Sequence, residues 1–230
     1  MRSAPRGIAL ALAALALAGC GGGGGATSAE DLVRESATRT ADVESFHFTL
    51  DIQNVPRSSA GLQLTAAEGD VSVPDRLQAD VSGTFAGVPL TTQLISVGGK
   101  VWIKNPLSGR WQAVDVGTAP AALLDPQQGV LGVMRGLEGV EDDGTEELAG
   151  VATVRVRGTA AAADVAPLVA VPAGGGTVDA TLWIGADDRI LRRIRIEGAV
   201  ANGEPTDATR VVEVSRFGEP VTIDEPEDVE

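Results

Sequence analysis

The hydrophobic pattern changes period once along this chain and then keeps the new one. Leu32, Val33, Ala37, Thr40 and Ala41 recur three and four residues apart, behind Ser28 with the acidic Asp31 three places on. That spacing, with a side chain able to cap the first turn, predicts a helix over 28–43. From Ser45 the period falls to two. Phe46, Phe48, Leu50 and Ile52 alternate with His47, Thr49, Asp51 and Gln53, which predicts a strand with one buried face. Further strands are expected near 63–73, 76–85, 89–97, 100–104 and 111–114. Turn signals at Pro74-Asp75, Ala86-Gly87 and Gly98-Gly99 separate the earlier ones. Leu77, Ala79 and Val81 share a side against Gln78, Asp80 and Ser82, so this half reads as an antiparallel meander with one wet face.

The middle differs. Leu123, Leu124, Val130, Leu131, Val133, Met134 and Leu137 crowd 119–137 with a break at Asp125-Pro126, predicting two short apolar helices joined at the proline. A second meander is expected from Gly139, with strands near 143–148, 152–157, 178–184, 190–197 and 209–215 and a short helix over 160–171. Nothing between Glu30 and Thr222 has the composition of a linker. The fold class expected is α+β, one domain with a long antiparallel sheet and helices on one face. The acidic run Asp224–Asp228 reads as a frayed tail.

Composition narrows the chemistry. With 230 residues and 43% of them hydrophobic, one substantial core is available. A net charge of −14 argues against nucleic acid, because little here replaces counterions along a phosphate backbone. One His, one Cys and no Tyr exclude a Cys/His zinc site and an intrachain disulfide. His-dependent nucleophilic catalysis has only His47 to use. This inventory argues against an enzyme and calls for no cofactor, although a carboxylate-only hydrolase stays open.

The start of the chain is an address. Arg2 and Arg6 precede the apolar run Ile8–Ala18, too short for a span of ~20 helical residues. It ends in Leu17-Ala18-Gly19-Cys20, which matches the bacterial lipobox. Residues 1–19 are therefore expected to be a lipoprotein signal peptide, and Cys20 the lipid-modified anchor. Gly21–Gly25 with Ala26-Thr27 follow as a flexible tether over 20–27. The protein is expected to be exported and anchored on the outer face of the cytoplasmic membrane.

Other features have bland readings. His47 reads as a strand histidine. Glu138, Glu141, Asp142, Asp143, Glu146 and Glu147 lack the oxygen spacing of an EF-hand loop and read as a solvated hairpin tip. Gly174-Gly175-Gly176 runs from helix into strand, the wrong order for a phosphate cradle, and reads as a flexible loop. Arg189, Arg192, Arg193 and Arg195 read as a surface face that balances nearby acids.

Several short stretches recur in one order. Ser45-Phe46-His47-Phe48, Glu68-Gly69-Asp70 with Pro74-Asp75, and Gly87-Val88-Pro89 come first. Gly99-Lys100-Val101-Trp102, Trp111, Asp125-Pro126 with Gly129, Trp183-Ile184 and Pro220-Val221 follow. Together with the lipobox they resemble the actinobacterial LppX/LprAFG lipoprotein family, of the LolA/LppX-like half-barrel type, over roughly 32–223. The resemblance implies a large curved antiparallel sheet with helices on its concave face, enclosing an apolar cavity. It implies a single lipid-binding domain over 28–223, followed by the acidic tail 224–230. It also implies a carrier that takes acylated lipids or lipoglycans across the cell envelope, sometimes beside an export transporter. Of the family's special residues, only the anchor Cys20 carries over. The Gly/Ala-rich stretch 173–176 and the acidic tail depart from the family pattern.

Alternation selects the expected cavity lining. It consists of Phe48, Leu50, Leu77, Val81, Leu94, Val101, Ile103, Leu123, Leu131, Met134, Leu137, Leu182, Ile184, Ile194 and Ile196. Each buried acyl CH₂ contributes ~0.8 kcal/mol, so affinity needs no charged site. The helix expected over 125–137, with Pro126 and Gly129, is the expected lid. Two rival readings fit the same sequence. One is a closed-core interaction or sensor module serving an envelope membrane protein. The other is the carboxylate hydrolase, which needs two converging acids.

Overall fold

Eleven strands form one antiparallel sheet in the computed structural model, which describes residues 28–55, 62–85, 87–114, 126–169 and 174–229. The strands of the first half are β1 (Ser45–Gln53), β2 (Leu62–Ser72), β3 (Arg76–Phe85), β4 (Val88–Val97), β5 (Lys100–Lys104) and β6 (Trp111–Val114). Those of the second are β7 (Glu138–Leu148), β8 (Val151–Ala161), β9 (Thr177–Gly185), β10 (Leu191–Glu197) and β11 (Thr209–Ser215). Across the sheet the order is β6-β5-β4-β3-β2-β1-β11-β10-β9-β8-β7. Each meander pairs with itself, and the two meet where β1 lies antiparallel to β11. The edges are therefore β6 and β7, and the chain from Val114 to Glu138 leads from one edge to the other.

The helices lie on one face, the concave one. Helix α1 (Ala29–Ala41) begins where Ser28 Oγ accepts the Asp31 N–H at 3.1 Å and donates to the Asp31 carboxylate. This satisfies one of the donors that a helix start leaves open. Leu32, Val33, Ser36, Ala37 and Thr40 form its buried stripe. Helix α2 (Pro126–Arg135) starts on a proline, where a missing N–H costs nothing. It buries Val130, Leu131, Val133 and Met134, each contributing about 1.5–3 kcal/mol. The expected helix before Pro126 lies outside the described residues. Among the described residues, the expected helix over 160–171 is α3 (Ala162–Val165) followed by a tighter turn, Ala166–Val169. Pro167 explains the change, since it has no N–H to continue the α pattern.

Three expectations are corrected. The acidic residues 138–147 are part of β7 itself, and the hairpin turn falls later, at Ala149-Gly150. Register shifts, with Gly139 and Gly144 at positive φ, irregularise that edge. Charge and irregularity there discourage a further strand from adding. Second, the acidic C-terminus is docked along its described length. Gly218 N–H bonds to Ser45 O, Ser45 Oγ to Glu219 O, Lys100 Nζ to Glu225 at 2.8 Å, and Trp111 N–H to Asp228 O. This strap crosses the convex face, covers a small apolar cluster of Ile95, Val97, Trp102 and Ile223, and bridges β6 through Trp111 and Val229. Third, the glycine stretch is tied down: Gly174 N–H bonds to Val200 O at 2.7 Å, and Gly176 O accepts from Ala162 N at 3.0 Å.

Candidate functional site

The register builds rows across the concave face. One row reads Val214, Phe48, Gly69, Ala79, Leu94 and Ile103; the next reads Val212, Leu50, Ala67, Val81 and Thr92. At Ala67, Gly69 and Ala79 small residues therefore lie between Phe48 and Leu50 of β1 and Leu94 and Ile103 of β4 and β5, whereas Val71 and Leu77 fill the row beyond. These small residues outline a short trough over the middle of β2 and β3. Gly69 is required there, because a Cβ would stand 2.0 Å from the carbonyl oxygen of Gln78.

The two halves of this face are covered unequally. Over β8–β10 the helices close it, and Val156, Leu182, Ile184, Ile194 and Ile196 are all 0% exposed. Over β1–β5, Phe48, Ile52, Leu64, Ala67, Val81, Leu90 and Ile103 remain only half-buried. These residues gather toward the end of the sheet that carries the β3–β4 and β5–β6 turns. At the opposite end Val71, Leu77, Leu94 and Val101 are buried.

The structure thus sorts the expected lining. Phe48, Val81, Ile103 and Leu137 are half-buried and flank the core; Leu50, Leu77, Leu94 and Val101 are buried within the first half. Leu131 and Met134 of α2, with Leu182, Ile184, Ile194 and Ile196, form the closed core. Leu123, like Cys20 and the tether, lies outside the described residues. Alternation alone could have added Ile52 and Ala67; Leu64 reaches the same face only through the bulge between Leu64 and Ala66.

Sequence reading also missed a buried ion pair at the margin of the trough. Arg210 lies in register with Ile52 and with Ile196, on the apolar face. Its side chain is 1% exposed and that of Glu204 is 8% exposed. Arg210 Nη2 donates to Glu204 Oε1 at 2.5 Å, and Glu204 Oε2 accepts from Val200 N at 2.9 Å and Ala201 N at 3.1 Å.

The convex face is polar and largely self-paired. His47 Nδ1 is 2.8 Å from Asp70 Oδ1, and Nε2 is 3.3 Å from Glu68. With Gln78, Asp80 and Gln93 these line a shallow hollow of about 270 Å³. The arginine run is matched acid by acid: Arg189 to Glu35, Arg192 to Asp188, Arg193 to Glu213 and Arg195 to Glu197. Arg155 bonds to Asp143 and Glu146. The carboxyls of Asp31 and Glu146 are both held below the usual range, by hydrogen bonds from Arg34 and Trp183 first. An acid kept protonated for glycoside cleavage needs the opposite shift. Among the described residues no cluster of His, Cys, Asp and Glu forms a metal-binding group, and no helix is long and apolar enough to cross a membrane.

A family model described as LppX_LprAFG lipoprotein matches residues 28–223. The lipoarabinomannan carrier protein LprG of Mycolicibacterium smegmatis is 26% identical over 203 residues, covering 85% of this chain and 81% of the relative. The putative lipoprotein LprA of Mycobacterium bovis is 26% identical over 205 residues, covering 85% and 80%. The crystal structure of LprF from Mycobacterium bovis superposes with a TM-score of 0.65 at 24% identity, over 86% of this chain and 96% of that one. The lipoprotein LppX of Mycobacterium tuberculosis gives 0.62 at 22% identity, over 85% and 98%. Both share this fold.

Proposed function

The chain belongs to the LppX/LprAFG lipoprotein family, and from that premise we propose that it binds acylated lipids or lipoglycans and carries them across the cell envelope. It does so while held to the outer face of the cytoplasmic membrane by a lipid-modified Cys20. The observation that carries this reading is the unequal cover of the concave face. A closed-core adaptor has no reason to leave Phe48, Ile52, Leu64, Val81 and Ile103 half-buried beside a core whose other half is sealed. Apolar surface of this kind is what acyl chains need. At ~0.8 kcal/mol per CH₂, a chain of sixteen carbons would gain on the order of 10 kcal/mol gross. Curated relatives named lipoarabinomannan carrier proteins point to the same ligand class.

The proposed lining is the half-buried set of β1–β5, with the buried Leu50, Leu77, Leu94 and Val101 behind it; Leu137 packs against Gly158 of β8, on the other half. Opening falls to α2, which packs on α1 and α3 and so can shift without breaking a strand pair. No catalytic step is assigned. An envelope transporter is the proposed receiver of the cargo.

The test is native mass spectrometry of the anchor-free protein secreted from an actinobacterial host, followed by organic extraction. A stoichiometric multi-acyl species is expected. A protein that emerges empty and refuses added acyl lipids overturns the carrier reading in favour of the adaptor.

A further inference from the structure

The trough ends at a buried charge on an otherwise apolar row. Of the paired positions on the apolar face in β1–β4 and β8–β11, among the described residues, only Arg210 has a charged side chain. Its neighbours at the same parity on β11 are Val212 and Val214. A valine at 210 would continue that row, and burying an ion pair is seldom better for stability than an apolar residue of similar size. Arg210 stands directly beside Ile52, one of the half-buried residues of the trough.

The guanidinium is also incompletely used. Nη2 is taken by Glu204 Oε1 at 2.5 Å, and Nη1 makes only a long contact to Gly198 O at 3.4 Å. The Nε–H has no partner and is shut off from solvent. A buried donor without an acceptor is costly. Glu204 does not serve it: Oε1 takes Nη2, and Oε2 accepts two backbone N–H groups of the 198–208 loop. Those same N–H groups spread the charge of Glu204, which lessens its repulsion of a second anion beside Arg210.

We propose that Arg210 is the anchoring point for an anionic lipid head, its Nε edge taking a phosphate or carboxylate oxygen whose acyl chains lie in the trough. This rests on the carrier reading above and adds an orientation to it. The head sits at the end of the sheet where β1 ends and β11 begins, and the tails point toward the buried end. Guanidinium forks suit planar, paired oxygens, and charge-assisted bonds are the strong ones.

The experiment compares dipalmitoyl phosphatidate, dipalmitoylglycerol and inorganic phosphate on the full chain and on Arg210→Gln and Glu204→Gln. Isothermal titration reads affinity, and circular dichroism checks folding. The unaltered protein is expected to bind phosphatidate about tenfold or more tighter than dipalmitoylglycerol, as a charged hydrogen bond allows. Arg210→Gln should bring the two within about twofold of each other while dipalmitoylglycerol binding is kept. Glu204→Gln, which keeps the arginine, should widen the preference and supplies the test if Arg210→Gln fails to fold. Equal affinity for the two lipids in the unaltered protein overturns the head-group assignment and leaves carriage standing. So does a preference that survives Arg210→Gln, or one that Glu204→Gln leaves unchanged or narrows. Equal loss of both lipids in a folded Arg210→Gln variant makes the residue a structural pin and overturns the assignment as well. Inorganic phosphate bound as tightly as phosphatidate would assign the point to a free anion instead. Binding of neither lipid overturns the carrier reading itself.

Discussion

Trp183 on β9 reaches past β8 and gives its indole N–H to Glu146 on β7, Nε1 to Oε2 at 2.7 Å. Arg155, on the strand between, donates to the same carboxylate oxygen at 3.3 Å. The indole hydrogen bond is the main reason the Glu146 carboxyl sits below its ordinary range, and the charge and hydrogen bond of Arg155 add to it against partial burial.

That bond sets a pH prediction. A carboxyl depressed in the folded state stabilises the fold fully above its unfolded value, and the contribution is lost as pH falls through the folded value. Trp183 emission should therefore hold steady through the ordinary glutamate range and change only at more acid pH. Glu146→Gln should abolish that step. A step at the ordinary glutamate pH, or one that persists in the variant, counts against the assignment.

Filling the trough should separate binding from stability. Val81→Trp projects from a half-buried position of β3 and is expected to lower acyl-lipid affinity about tenfold or more through lost acyl contacts. Its melting temperature should change little. Leu182→Trp, at a position with 0% exposure, is expected to cost about 1–3 kcal/mol of stability instead. Lipid titration and thermal melts of both variants read the contrast.

Gly69→Ala should be expensive although it adds one carbon. The new Cβ would sit 2.0 Å from Gln78 O and 2.7 Å from the Cα of Ala79, both backbone, so β2 and β3 must part. A loss of about 1–3 kcal/mol in urea unfolding is expected. Gly175→Ala has open space around it and should be close to neutral.

Removing the strap, by ending the chain at Glu219, should expose Ile95, Val97 and Trp102. A red shift in tryptophan emission and a lower melting temperature are expected. Ile223→Ala alone should cost about 2 kcal/mol or more, the low end for truncating a buried isoleucine. An unchanged melting temperature for the truncated chain would falsify a structural role for the strap.

If α2 is the gate, its amides should exchange faster than those of β9 and β10 and slow when lipid is bound. Hydrogen exchange followed by mass spectrometry reads both. Exchange in 129–136 as slow as in β9, with no response to lipid, would place the gate elsewhere.

Much of the sheet was legible because period-two alternation survives wherever one face is wet. The strands over 76–85, 100–104, 111–114 and 209–215 fall where the pattern puts them. The start of β7 was hidden, since Glu138–Asp143 offers almost no apolar residue to alternate. The strap was hidden for a related reason: it docks through backbone groups, the Lys100–Glu225 ion pair and only Val221 and Ile223 against the apolar cluster, too few residues to set a period. The trough was legible only in part. Alternation says which face a residue takes, while burial depends on which half the helices cover, and that is a long-range property. Arg210 shows the difference. Its parity with Val212 and Val214 was readable, and its loss of solvent required the 198–208 loop, which nothing local announces.

The seam between β1 and β11 has a consequence for how the chain comes into being. Residues 45–53 are made early, yet their partners at 209–215 are made almost last. A nascent chain can zip β1 through β6 as each strand emerges, leaving the other side of β1 an open template for most of synthesis. The middle of the finished sheet is thus its final closure. A chaperone that shields the β1 edge would protect the whole protein more than one that waits at either rim.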